Sequence, residues 1–468
     1  MPMVLVRMLS QGEYGGYQQM ILIGTAAVGV LTLGLPTSIY YFYHFIAPLK
    51  IPALVVQTTI LLLLSGLLAT GIVFFGADYF AASLNNPAIS GLLKIYALSL
   101  LLTIGSEQCL HFMIAQNRYR LAVVFEVGET VVRVITLLMP LWLGFGLTGL
   151  IFGLLLYAAL RFMVRNGYLF LRSGCIFTDW RQHVFPNKQL AYSMPVALVS
   201  LSALIGSTLN RGMLASSFTP AHYAVYSVGA LEIPLDVIFQ ASVANVLRAS
   251  LPPLVRDGNL IEIVRILRAA VRKLSIIVLP SFVFLLGHSQ QFITLLFTSN
   301  YAESVTVFQI YLWLVPLHML VLSPVPQVFG KPKLNFYIVF AMSAVVLLLG
   351  YVLLKTIGFY GPAIAVVVTQ YIQVIAYFAV VLRLTKSTLR RLMPFRHIAK
   401  VILAAGVSLL ASMAVDHATS SALANFVFAG VVFSLCFVLL ATITKIFSDS
   451  DTKFVKRWLS AFLRINPT

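Results

Sequence analysis

Apolar stretches of about 20 residues recur from one end of this chain to the other, each long enough as a helix to cross roughly 30 Å of hydrocarbon. They run near 17–43, 54–76, 91–115, 121–142, 145–164, 190–214, 222–247, 274–297, 304–328, 334–354, 361–382, 399–415 and 423–444. A shorter apolar piece covers Met1 to Ser10, and the helical pattern of 145–164 can continue past the bilayer. Inside a membrane only helices and closed barrels satisfy their own backbone, and barrels would show short alternating segments instead. Composition agrees, with 60% hydrophobic and 10% charged residues, against about 25% charged in soluble domains. An all-α integral membrane protein with about thirteen or fourteen crossings is expected.

The formal net charge of +18 would point to nucleic acid on a soluble chain, but here it collects in alternate connections. One set holds Lys50; Arg118 and Arg120; Arg161, Arg165, Arg172, Arg181 and Lys188; Arg248 through Lys273; Lys331 and Lys333; Arg383 through Lys400; and Lys445 through Arg464. The opposite set holds only Arg7, Lys94 and Lys355. The positive-inside rule then makes the basic connections and the C-terminus cytoplasmic, and no nucleic-acid partner is expected. Residues 259–274 place Leu260, Ile263, Val264, Leu267, Val271 and Leu274 on one helical face and Arg265, Arg268 and Arg272 on another. The tail from Lys453 to Arg464 repeats the pattern with Phe454, Trp458 and Phe462. Both read as helices lying on the membrane and attracted to anionic lipid. Cys109, Cys175 and Cys436 form neither a metal-ligand spacing nor a disulfide framework.

Ser10, Tyr14 and Tyr17 precede one span, and Thr219, Tyr223 and Tyr226 precede another with the same spacing. Six spans separate the two motifs, which predicts two homologous halves in one orientation, related by a pseudo-two-fold axis along the membrane normal. A complete span precedes the second motif and only a fragment precedes the first, so the first helix is expected to be incomplete.

Arg7-Met-Leu-Ser10 with Glu13-Tyr14-Gly15 and Tyr17 resembles bacterial polysaccharide flippases, as do Leu33 to Phe42, Leu190 to Pro195, and Asn210-Arg211 followed by Tyr223 and Tyr226. The resemblance, to the polysaccharide transporter branch of the multidrug/oligosaccharidyl-lipid/polysaccharide exporter superfamily, covers most of the chain. It implies two six-helix lobes enclosing a central cavity, with an extra C-terminal helix pair. Expected boundaries are an N-terminal lobe at 1–171, a linker at 172–189, a C-terminal lobe at 190–385, the extra pair at 386–446 and an amphipathic tail at 447–468. The implied substrate is an undecaprenyl-diphosphate-linked oligosaccharide, an O-antigen, capsule or exopolysaccharide unit, crossing the bacterial inner membrane by alternating access. Other polysaccharide assembly proteins are implied partners. Members often carry an acidic residue where this chain has Asn210.

Ionisable groups within spans are costly unless they face a partner or a wet cavity. Glu126, Glu129 and Arg133 share a helix face, Glu107 and His111 are an i,i+4 pair, and Glu232, Asp236 and Gln240 form a stripe beside Pro234. Arg133 and Arg211 are the arginines within expected spans, and a guanidinium holds two phosphate oxygens while staying charged. Arg211, Arg133 and Asn210 are therefore the expected substrate-binding residues, with Arg211 facing the central cavity. Glu129 can alternatively neutralise Arg133. Glu126, Glu129, Glu107 and Asp236 are candidates for coupling to an H⁺ or Na⁺ gradient, with no other cofactor expected. The same carboxylates fit a cation-coupled multidrug exporter of the superfamily. A polysaccharide polymerase fits less well, because no large outer loop is visible. No His-Glu-x-x-His, Walker A or diphosphate-metal motif occurs in the sequence, so no enzyme is expected.

Overall fold

The computed structural model describes residues 1–173, 186–415 and 421–447. They form helices joined by short turns, with no strand among the described residues. Contacts divide the chain into two compact units, one made of Met1–Val228 with Val339–Ala365 and the other of Gly229–Ile338 with Val366–Thr468. Most of the expected 172–189 linker and nearly all of the expected tail lie outside the described residues.

Among the described residues ten helical segments are long and apolar enough to span a membrane. The expected spans at 121–142, 190–214 and 222–247 are helical but fall outside that set. Tyr119–Trp142 carries Arg120, Glu126, Glu129 and Arg133. Pro186–Ser217 is diluted by serines. The third is interrupted, with one helix ending at Gly229 and the next starting at Pro234. Polar groups enter where helices break or face a cavity, and these are the segments that lose hydropathy.

Local signals explain several boundaries. Ser10 caps the Gln11–Leu31 helix: its hydroxyl accepts from the Glu13 amide, and the Glu13 carboxylate accepts from the Ser10 amide at 2.9 Å. Thr219 stands at the matching position before Pro220–Gly229, its hydroxyl accepting from the His222 amide at 3.4 Å. Behind these caps Tyr14, Tyr17, Tyr223 and Tyr226 are all buried. The two motifs meet inside the first unit. A Cβ on Gly15 would stand 1.8 Å from the Pro220 carbonyl oxygen, so only glycine allows that approach. Gly34 takes the left-handed φ of 64° that separates Gln11–Leu31 from Leu35–Phe45.

In the second unit, Asn259 caps Leu260–Gly287, a single 28-residue helix. The segment expected to lie on the membrane is the first part of this helix. Ile263, Leu267, Val271 and Leu274 are buried in a protein core with Leu392, Met393 and Val401. An amphipathic stripe shows that a face needs apolar cover, and here protein supplies it. The arginines are also engaged: Arg268 donates to the carbonyls of Arg390 and Arg391, and Arg272 to that of Ile446.

Candidate functional site

The first unit holds a cavity of about 570 Å³ lined by Met1, Pro2 and Leu5 at the start of the chain and by three longer helices. Gln11–Leu31 contributes Tyr14, Tyr17 and Gln18. Tyr119–Trp142 contributes Glu126, Glu129, Thr130 and Arg133. Gly146–Ser173 contributes Tyr157, Arg161 and Arg165. One face of each helix suffices, because residues three and four apart point the same way.

Arg165 organises the charges. Only 2% of its side chain is exposed, and its guanidinium grips Glu129 with two hydrogen bonds of 2.6 Å. Its remaining nitrogen donates to the Ser106 carbonyl at 3.3 Å, while Asn166 donates to that of Gly105 at 3.2 Å. Those carbonyls are freed where the helix at Ser90–Ile104 breaks before Gln108–Ala115. Arg165 and Asn166 thus satisfy a broken backbone that lipid could not. Arg161 pairs with Glu107 at 2.8 Å and lies 3.7 Å from Glu129, and Glu126 stands 3.8 Å from Arg165.

The expected partnerships are therefore rearranged. Glu129 binds Arg165 rather than its helical neighbour Arg133, and the Glu107 carboxylate turns to Arg161. His111 instead lies 3.3 Å from the Glu107 backbone carbonyl. Arg161 and Arg165, grouped by sequence with a cytoplasmic connection, lie within this network. The missed signal was their own i,i+4 spacing, which matches the acidic pair at 126 and 129 across adjacent helices. Arg133 forms no ion pair among the described residues. It sits 6.0 Å from the centre of the Tyr157 ring, and Tyr17 shares the same lining. Glu107, Glu126 and Glu129 all pair with Arg161 or Arg165, and Arg133 takes part in none of these pairs.

The other expected residues are placed elsewhere. Arg211 is exposed on Pro186–Ser217 and does not line this cavity. Asn210 beside it is buried, donates to the Pro362 carbonyl at 3.3 Å and packs its side-chain oxygen against Gly350. In the second unit Asp236 is fully buried, and neither carboxylate oxygen has a hydrogen-bond partner among the described residues. A charge there demands a counter-charge, so a proton or a monovalent cation is its natural occupant.

Helices long and apolar enough to cross a membrane, with polar cavities inside the two units, define the chain as a multi-pass membrane protein. It belongs to the polysaccharide biosynthesis protein family, whose pattern it matches over residues 4–306. No curated protein matches it by sequence. Among solved structures it is similar to the lipid II flippase MurJ in its inward closed conformation, with a TM-score of 0.72 and 14% identity over 95% of this chain and 96% of that one. An inward-facing multidrug resistance transporter of the MATE family and MOP superfamily gives 0.65 and 14%, over 82% and 95%. A MOP superfamily transporter from Pyrococcus furiosus gives 0.60 and 14%, over 83% and 92%. These likenesses bear out the fold class expected from the sequence, two helical lobes of the flippase and exporter type.

Proposed function

We propose that the protein is a bacterial inner-membrane flippase for an undecaprenyl-diphosphate-linked oligosaccharide, an O-antigen, capsule or exopolysaccharide unit. It works by alternating access, coupled to an H⁺ or Na⁺ gradient, with its C-terminus in the cytoplasm. The observation that carries this reading is the first-unit cavity in which every arginine but Arg133 is neutralised by carboxylate. A diphosphate is expensive to move through apolar surroundings without a cationic partner. Arg133 supplies one, with the hydroxyls of Tyr17 and Thr130 in the same lining. The lipid-linked substrate named for MurJ supports the same substrate class. Arg211, with Asn210, is assigned a second contact along the path. Asp236 is the preferred coupling group, because its buried carboxyl lacks a partner. Glu129 and Glu107 are bound to arginines and less free to exchange a proton.

The test is complementation of a flippase-deficient strain, scored by surface polysaccharide and by membrane abundance of each variant. Arg133→Ala and Arg211→Ala should abolish export at normal abundance, and the corresponding lysine variants should retain part of it, since charge survives but the planar fork does not. Full export by Arg133→Ala would remove the site from the mechanism. A second reading, a cation-coupled multidrug exporter, draws on the MATE likeness and the carboxylates. It requires that expression of the protein raise resistance to lipophilic cations in a strain that makes no lipid-linked sugar.

A further inference from the structure

The second unit contains its own cavity, of about 470 Å³, with a different chemistry. Two interruptions of helix border it. One carries Glu232, between the helices ending at Gly229 and starting at Pro234. The other runs from Leu314 to Ser323, where the Ser304–Val328 segment breaks into short turns. Non-helical backbone at membrane depth is tolerated where it is buried in protein or lines a water-filled space. The rest of the polar lining is dominated by side-chain amides, Gln240, Gln370 and Gln373.

Those amides are largely unspent. Gln240 and Gln370 make no side-chain hydrogen bond among the described residues, and Gln373 shares the lining with Tyr377. His318 adds a buried ring nitrogen, Nδ1, that also has no partner there. Each amide offers both donors and an acceptor. A phosphate only accepts, so it would leave the amide carbonyls unmatched, and a lipophilic cation would meet their N–H groups unfavourably. A sugar hydroxyl both donates and accepts, and the leucine and valine walls suit the C–H faces of its ring. Glu232 and Arg248 in the same lining carry opposite charges, so the cavity has no excess of either sign.

We infer that this second-unit cavity is a saccharide subsite, with Gln240, Gln370 and Gln373 binding hydroxyls of the transported head group. The inference rests on the flippase reading above and adds to it a place where the sugar, rather than the diphosphate, is read.

Site-directed cysteine protection in cells tests it. In the full-length chain with Cys109, Cys175 and Cys436 changed to alanine, Val374→Cys places a thiol in the lining, and Ala241→Cys serves as a second position. Labelling by a membrane-permeant maleimide is compared in three hosts. One makes the complete lipid-linked unit, one stops after its first sugar, and one lacks the initiating sugar-phosphate transferase. The complete unit should slow labelling several-fold and the single-sugar lipid should not. Adding Gln370→Leu and Gln373→Leu should remove the protection and lower export of the complete unit about tenfold, the loss expected for two hydrogen bonds. Equal labelling with and without the complete unit overturns the subsite. So does equal protection by the single-sugar lipid, or protection by tetraphenylphosphonium. If a cysteine variant exports normally yet shows no protection, the subsite fails and the flippase reading stands. If the unmodified protein exports nothing, the flippase reading itself fails.

Discussion

Glu129 and Arg133 sit one turn apart on the same helix face, and the structure gives them opposite fates on substitution. Glu129→Gln takes the counter-charge from the buried Arg165 and leaves one acceptor oxygen where two had accepted at 2.6 Å. Orphaning one member of a buried pair costs about 3–5 kcal/mol. Arg165 keeps the Ser106 carbonyl at 3.3 Å and has Glu126 at 3.8 Å, so the lower end applies, about 3 kcal/mol. Unfolding entropy is about 2 cal/mol/K per residue, so the melting temperature should fall by about 3 °C if the chain melts as one, and about twice that if the first unit melts alone. Arg133→Gln removes no ion pair, so its melting point should stay within about 1 °C of the parent while export is lost. Replacing both partners, Glu129→Gln with Arg165→Met, should recover much of the single-variant loss, because no orphaned charge remains. The assay is thermal unfolding of purified protein in detergent, monitored by loss of the monodisperse peak, beside complementation. A Glu129→Gln protein melting like the parent, or an Arg133→Gln protein melting as early as Glu129→Gln, would refute the partition of roles.

Three further outcomes follow from the geometry. Gly15→Ala drives a methyl into the Pro220 carbonyl, and overpacking against backbone should cost about 1–3 kcal/mol, read as a lower melting temperature. Leu267→Ala should cost about 2–5 kcal/mol if its face is protein core, whereas a lipid-facing anchor would tolerate it, and the same melt decides. Asp78 is held below the usual carboxylate range by the Ser90 hydroxyl and by Lys94 at 3.1 Å, so its contribution is complete above that range and fades as pH falls through the lowered value. Asp78→Asn should therefore narrow the difference in melting temperature between neutral and acid buffer.

Hydropathy carried the helical membrane fold because burial in lipid imposes a one-dimensional rule, about twenty apolar residues per crossing. It fell short where polar groups enter the helices. The Tyr119–Trp142 helix departs from the rule because it carries the charges of the cavity. The helix after Thr219 is broken at Glu232, a cavity-lining position. Residues 259–274 show a different limit. Their amphipathic stripe was legible, but whether lipid or protein covers such a face depends on elements more than a hundred residues away, such as Leu392 and Val401. The two tyrosine motifs share a cap and a pair of buried tyrosines. Their mutual contact through Gly15 was not legible, since nothing in local spacing reports it.

Counting arginines by expected span left out Arg161 and Arg165, and that omission has a physical source. Arg161 and Arg165 fall after the apolar core of their segment, so a rule built on loops assigns them to the cytoplasm. The helix runs on to Ser173, and the long arginine side chains reach across to Glu107 and Glu129 on neighbouring helices. Once those pairs are made, the same helix that seemed to offer Glu129 as a partner for Arg133 no longer does so. This is what frees Arg133. Had the i,i+4 pair formed, Arg133 would be engaged, and a diphosphate would have to displace a carboxylate on its own helix. By committing Glu129 to Arg165, the chain anchors the broken backbone at Gly105 and Ser106 and leaves one guanidinium unclaimed in the cavity. On the proposed reading the structural and transport roles rest on different arginines, and substitutions at 165 and 133 can tell them apart.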